Sequence, residues 1–283
     1  MNKLNRDTQI KIVAALVEGN SIRAVSRMVD VSRNTISKLL LDLGAVCERY
    51  HDEHVVNLKT KRVQADEIWS YVFKKDANCT PGERAIGKVG SQWTWTAIDA
   101  DSKLIISYLV GGRDGEYAYM FMRDLASRLA NRVQLTTDAH SVYYTAVRES
   151  FGSDNVDYAM LVKKYGKGEG NPDTRYSPAE CIGIEKKPKM GKPDNDHIST
   201  SFVERQNLTM RMGMRRFTRL TNGFSKSLEH HIASIALHFM HYNFVRIHQT
   251  LRMTPAMKAG LTSHLWDIGD IVDLLDTRDL TTE

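Results

Sequence analysis

The stretch RVQADEIWSYV, residues 62–72, decides how this chain reads. Its Val, Ile, Trp and Tyr content predicts a β-strand. On the alternation of such a strand Asp66 shares a face with Ile68 and Val72, while Glu67 points to the other face. An ionised carboxylate on an apolar face is costly unless a cation or a hydrogen-bond donor sits beside it. Asp66 is therefore the first candidate functional residue.

Outward from that strand, WTWTAIDADSKLIISYLVG (93–111) reads as two further strands around a turn at residues 99–103. Three consecutive strands make an antiparallel meander. GEYAYMFMRDLASRLANR (115–132) has helical character with Asp114 as its cap. A short strand, VQLTTD, ends on Asp138, followed by a helix around residues 142–151 and the strand VDYAMLVKKY (156–165). Strands alternating with helices after a meander predict an α/β domain with a mixed sheet covered on both faces. Residues 166–200 are rich in Gly, Pro and Lys, with weak strand character near residues 181–184. Two helices close the domain. SFVERQNLTMRMGMRRFTRL (201–220) carries Glu204, with Asn207 and Arg211 near it at i+3 and i+7. Between Arg205 and Arg219 lie five arginines (205, 211, 215, 216 and 219) and no acid, which suits phosphate. The second helix, about 227–248, has an apolar stripe of Leu228, Ile232, Ile235, Phe239 and Tyr242.

Residues 7–43 predict three short helices. Ile10, Val13, Ala14 and Val17 line the first, and Ile22, Val25 and Val29 the second, which Ser21 caps. Ser32 caps a third with Ile36, Leu39 and Leu40 inward. That is helix-turn-helix grammar, with Arg33, Asn34, Thr35 and Lys38 exposed to meet base edges and phosphates. A small helical bundle with a solvated face is the plainer alternative. The expected organisation is a DNA-binding domain at 1–45, a linker at 46–62, a catalytic domain at 63–262 with an insertion at 166–200, and an acidic tail at 263–283.

The formal charge is +5, but the last 21 residues hold six acids and one base, leaving a body with 38 bases against 28 acids. A basic body suggests a polyanionic partner. Three scattered cysteines without a C-x-x-C argue for a reducing compartment and against a disulfide framework or a cysteine zinc site. No signal core and no spanning apolar run occur, so a soluble, cytoplasmic protein with no membrane partner is expected. His230, His231, His238, His241 and His248 invite a zinc reading, but nothing completes a tetrahedral set, and solvated or hydrogen-bonded histidines along a polar helix edge are the expectation.

Each acid alone has a mundane explanation: Asp138 as a helix cap, Asp66 paired with a buried arginine, Glu204 exposed in a first turn where the helix dipole favours it. Jointly, one carboxylate on each of two strands and a helix can assemble a two-metal site for in-line phosphodiester displacement. Asp194 and Asp196 remain substitutes for the third ligand.

Taken together, ADEIWSYV around Asp66, LTTDAHSVYY around Asp138, VERQNLTMRMGMRRFTRLTNGFSK from Glu204 onward and YNFVRIHQTLRMTPAM resemble the DDE transposases of bacterial insertion sequences, most closely the insertion-sequence-one family. The resemblance spans nearly the whole sequence. It implies a ribonuclease-H-like core preceded by a small all-α helix-turn-helix domain, and two Mg²⁺ ions for which Mn²⁺ substitutes. Asp66 would bridge both metals, Asp138 would hold one and Glu204 the other. It also implies double-stranded DNA partners, namely terminal inverted repeats and target DNA, a homo-oligomer of two or more copies, and a bacterial nucleoid-associated location. Relatives often carry a cysteine zinc ribbon before the helix-turn-helix, and this sequence begins at the latter. An element-derived regulator without catalysis, or a ribonuclease-H-like nuclease, are the alternatives.

Overall fold

A computed structural model describes residues 4–166, 181–218 and 221–276. The protein is a mixed α/β structure built on one six-stranded sheet. Three helices come first: α1 (Arg6–Val17), α2 (Ile22–Val29) and α3 (Arg33–His54). The meander follows as β1 (Arg62–Val72), a short α4 (Pro81–Ile86), β2 (Gly90–Asp99) and β3 (Ile105–Gly111). Next come α5 (Gly115–Arg128), β4 (Val133–Thr137), α6 (Val142–Phe151), β5 (Val156–Tyr165) and β6 (Cys181–Met190). The chain closes with α7 (Ser201–Gly213), α8 (Leu228–Met240), a π-helical turn at His241–Val245, α9 (Pro255–Lys258) and α10 (Ile268–Asp273).

The sheet order is β3-β2-β1-β4-β5-β6. β1, β2 and β3 are antiparallel, β4 and β5 run parallel to β1, and β6 returns antiparallel at the edge. One face carries Trp95 packed on Phe121 of α5 and Tyr143 of α6. On the other face Ile68, Ile98 and Ile105 meet Val203 and Met210 of α7 and Ile235 and Phe239 of α8. Alternation along each strand thus feeds two apolar layers, as a sheet buried on both sides requires.

Several expectations need correction. Residues 46–54, expected within a linker, continue α3 to His54. Leu43, Val46 and Cys47 extend the buried stripe of Leu39 and Leu40 along α3, and that stripe faces α8, a partner that polarity alone does not reveal. Gly44 allows the close approach, because a Cβ there would lie 2.4 Å from Ala233. The first helices therefore share a core with the sheet domain. The acidic tail is anchored in its described part: α10 packs on α1, and Arg6 holds Asp273 through two hydrogen bonds of 2.6 and 2.8 Å. In the expected insertion, residues 167–180 lie outside the described ones, and Cys181–Met190 form a full edge strand rather than a weak one. The expected helix at 227–248 ends at Met240 and gives way to the π-helical turn. Among the described residues no helix is long and apolar enough to cross a membrane, and the three cysteines are free.

Candidate metal centre and nucleic-acid surface

β1 and β4 pair in parallel from Arg62↔Gln134 to Ala65↔Thr137, where β4 ends. The chain runs from β1 towards β2 and β3 on one side, and β4 leads to β5 on the other. The carboxyl ends of such diverging parallel strands leave a crevice, the usual ligand position in open α/β sheets. Asp66 and Asp138 are each the next residue after the last pair. Carboxylate oxygens of Asp66, Glu67 and Asp138 lie within 4.8 Å of one another in this crevice.

The three acids are not equivalent. By strand alternation Glu67 belongs to the other face, yet its carboxylate reaches the Asp66 and Asp138 oxygens, and its side chain is fully buried. Arg113 Nε donates to it at 2.6 Å and Tyr143 Oη at 2.7 Å. Its lone pairs are engaged, and burial beside these acids holds the Tyr143 hydroxyl well above its usual pKa. Asp138 accepts from the His140 backbone N–H at 2.9 Å, but it does not cap α6, which starts at Val142. Among the described residues no arginine pairs with Asp66; Asn207 Nδ2 of α7 donates to its Oδ2 at 2.8 Å. Burial, then the negative charges of Glu67 and Asp138, push the Asp66 carboxyl up to about 7.

Glu204 lies one turn before Asn207 on α7 and is near enough for its charge to act on Asp66. It stands outside the tight cluster. Lys163 Nζ, near the end of β5, pairs with it at 2.5 Å, and Thr200 Oγ1 donates to its other oxygen. Lys163 is a residue that sequence reasoning missed, because a lysine near a strand end reads as solvated. Asp194 and Asp196 are no substitutes. Asp194 caps a short 3₁₀ turn, Asn195–His197, that contains Asp196; it accepts from the Asp196 N–H at 2.9 Å, and its backbone bonds the Gln134 side chain.

A cation fits this donor set. Asn207 Oδ1 is buried and has no hydrogen-bond partner among the described residues, although its amide is fixed beside Asp66. A buried acceptor left unmade is costly. Clustered hard oxygen donors, with the Asp66 carboxyl raised by burial and by its neighbours' charges, suit a divalent ion.

The basic residues divide into three groups. Arg33, Asn34, Thr35 and Lys38 are exposed along the first two turns of α3, with Ile36, Leu39 and Leu40 buried beneath. Lys38 pairs with Asp42, and Thr35 bonds the capping Ser32 at 2.9 Å. Arg205 and Arg215 are exposed, Arg211 and Arg216 are half-buried, and Arg219 lies outside the described residues. Of these histidines, His231 and His238 are buried rather than along a polar edge, while His230, His241 and His248 are half-buried. His231 is buried, bonded to Ser70 Oγ at 3.0 Å and Ser225 Oγ at 2.8 Å. Burial pushes His231 and His238 down to about 3, so both are neutral.

No protein-family model matches the chain, and no curated protein matches it. Among solved structures it is similar to a piggyBac transposase synaptic complex with hairpin DNA, at 11% identity and a TM-score of 0.39, covering 100% of this chain and 74% of that one. It is similar to a Mos1 transposase paired-end complex with the left transposon end, at 15% identity and a TM-score of 0.24, over 56% of this chain and 60% of that one. The Mos1 strand transfer complex gives 13% identity and a TM-score of 0.24, over 85% and 76%. Likenesses this remote say nothing about chemistry, which the side chains must carry.

Proposed function

We propose that the chain is a transposase of the insertion-sequence-one type, which binds terminal inverted repeats and catalyses metal-dependent DNA strand cleavage and transfer. What carries this reading is the meeting of Asp66 and Asp138 in the crevice between β1 and β4, with α7 presenting Asn207 to Asp66 and carrying Glu204 just outside that cluster. A ribonuclease-H-like core fits the sheet, in which a central β1 lies between an antiparallel meander and parallel β4 and β5. The exposed start of α3, after the left-handed Asp30 (φ 52°) that ends α2, suits a recognition helix.

Asp66, Asp138 and Glu204 would hold two divalent ions. Such ions activate an attacking hydroxyl and stabilise the leaving oxygen of an in-line displacement. The chain's own residues do the positioning. Asn207 orients Asp66, Arg113 and Tyr143 hold the Glu67 carboxylate, and the exposed Arg205 and Arg215 would hold DNA phosphates without reading sequence. Lys163 pairs with Glu204 beside the crevice.

The test is a duplex carrying an element end, incubated with Mg²⁺. Nicking at the end and recovery of joined strands are expected from the parent. Asp66→Asn should fold, bind ends as well as the parent, and neither nick nor join. Nicking without joined products would indicate a nuclease, and an Asp66→Asn variant cutting at the parental rate would remove Asp66 from the chemistry.

A further inference from the structure

Beyond Asp66, β1 has no β4 partner, and its open edge is next engaged at Val72, which bridges to Ser225. The Phe73 N–H donates to the Ser225 carbonyl at 2.8 Å, so the segment after α7 folds back against the end of β1. This closure assembles an aromatic row. Trp69 and Tyr71 have ring centroids 5.7 Å apart at 32°, and Phe224 stacks on Tyr71 at 5.0 Å and 28°. The first ring is fixed, because Trp69 Nε1 donates to Ser91 Oγ at 2.9 Å and Ser91 is in turn held by Asp76. All three rings are half-buried, and so retain exposed area. Phe73, at the end of β1, is 54% exposed and sits at φ 63°, a conformation that is strained for a bulky side chain.

Cations accompany the rings. Lys226 Nζ lies 3.3 Å from the Phe224 centroid and Lys75 Nζ 6.0 Å from that of Tyr71. A cavity of about 350 Å³ opens beside Trp69 and Tyr71, with Lys75 and Arg216 in its wall and no acid among the described residues lining it. Arg216 bonds Ser225 Oγ at 2.8 Å, and no carboxylate pairs with it among the described residues. Rings with exposed area, interleaved with unneutralised cations, are how single-stranded nucleic acid is held: bases stack and the backbone meets positive charge.

We propose that Trp69, Tyr71 and Phe224, with Lys75, Lys226 and Arg216, form a stacking platform for unpaired nucleobases of a DNA strand. Its place deepens the transposase reading and rests on it. Trp69 and Tyr71 are three and five residues past Asp66 on one strand, roughly 10 and 17 Å along it. The platform would hold unpaired bases a few nucleotides from the phosphate at the acids.

The test uses the full chain with divalent ions chelated, so that no chemistry intervenes. Affinities are compared for a short single strand of thymidylates and an abasic phosphodeoxyribose strand of equal length. The base-bearing strand should bind roughly five- to a hundredfold tighter, the range expected from stacking. Phe224→Ala should erase that difference while keeping abasic binding, Phe224→Tyr should restore it, and Lys226→Ala should weaken both strands alike. Equal affinity of the parent for the two strands would overturn the platform whatever the variants do. So would a duplex of the same length bound as tightly and with the same Phe224 dependence, since paired bases cannot stack there. Base discrimination without Mg²⁺-dependent nicking would leave the platform standing and sink the transposase reading; nicking without discrimination would do the reverse.

Discussion

Asn207 Nδ2 donates a 2.8 Å hydrogen bond to Asp66 Oδ2 across 141 residues of chain. This contact fastens α7 to β1 at the point where β4 leaves the sheet. It also brings Glu204, one turn earlier on the same helix, towards the acids. One hydrogen bond cannot offset the burial of a carboxylate beside two others, and the raised Asp66 pKa records the remainder.

Asp66→Asn should therefore stabilise the metal-free protein at alkaline pH. Burial and the neighbouring acids raise the folded Asp66 carboxyl from its ordinary value of 3.8 to about 7. The raised pKa contributes stability that is fully present below about pH 4 and lost as pH rises to about 7. The gain of the variant over the parent should be near zero at pH 4 and reach on the order of 2–4 kcal/mol by pH 8. Denaturant unfolding in chelator across that window measures it. A difference independent of pH would show that Asp66 carries no such strain.

Lys163→Gln should free Glu204 from its ammonium partner and remove a positive charge facing the crevice. Divalent-ion affinity should rise about two- to fivefold, the equivalent of a partly exposed ion pair. Calorimetric titration with Mn²⁺ reads this directly. Affinity unchanged by Lys163→Gln but lost in Asp138→Asn would leave the metals to the strand acids without Glu204.

On α3, Asn34→Ala should relax the preference for element ends over random DNA while sparing random-DNA binding. Lys38→Ala should weaken both together and lower the salt slope by about one. Equal behaviour of the two variants would show that α3 reads no sequence.

Gly44→Ala should destabilise the protein by about 1–3 kcal/mol, since the new methyl would overlap Ala233 of α8. A second change, Ala233→Gly, should recover part of that loss in a double-mutant cycle. Simple additivity of the two changes would mean that α3 and α8 do not meet there in solution.

The strands, the capped helices, and the placing of Asp66 within β1 and of Asp138 at the end of β4 were legible in the sequence, because alternation, capping and β-propensity are local properties. So was the side to which Glu67 points, since a strand has a period of two residues. Sequence alone did not show that α3 runs to His54, because its apolar stripe has meaning only against α8. Nor did it show that Lys163 reaches Glu204, that Arg113 and Tyr143 engage Glu67, or that His231 is buried between Ser70 and Ser225. These contacts follow from strand order and loop closure. Putting β4 beside β1 brings two acids together, and folding the segment after α7 onto the open edge of β1 sets Phe224 on Tyr71. Both depend on how burial is shared across the whole chain, which no local window of residues contains.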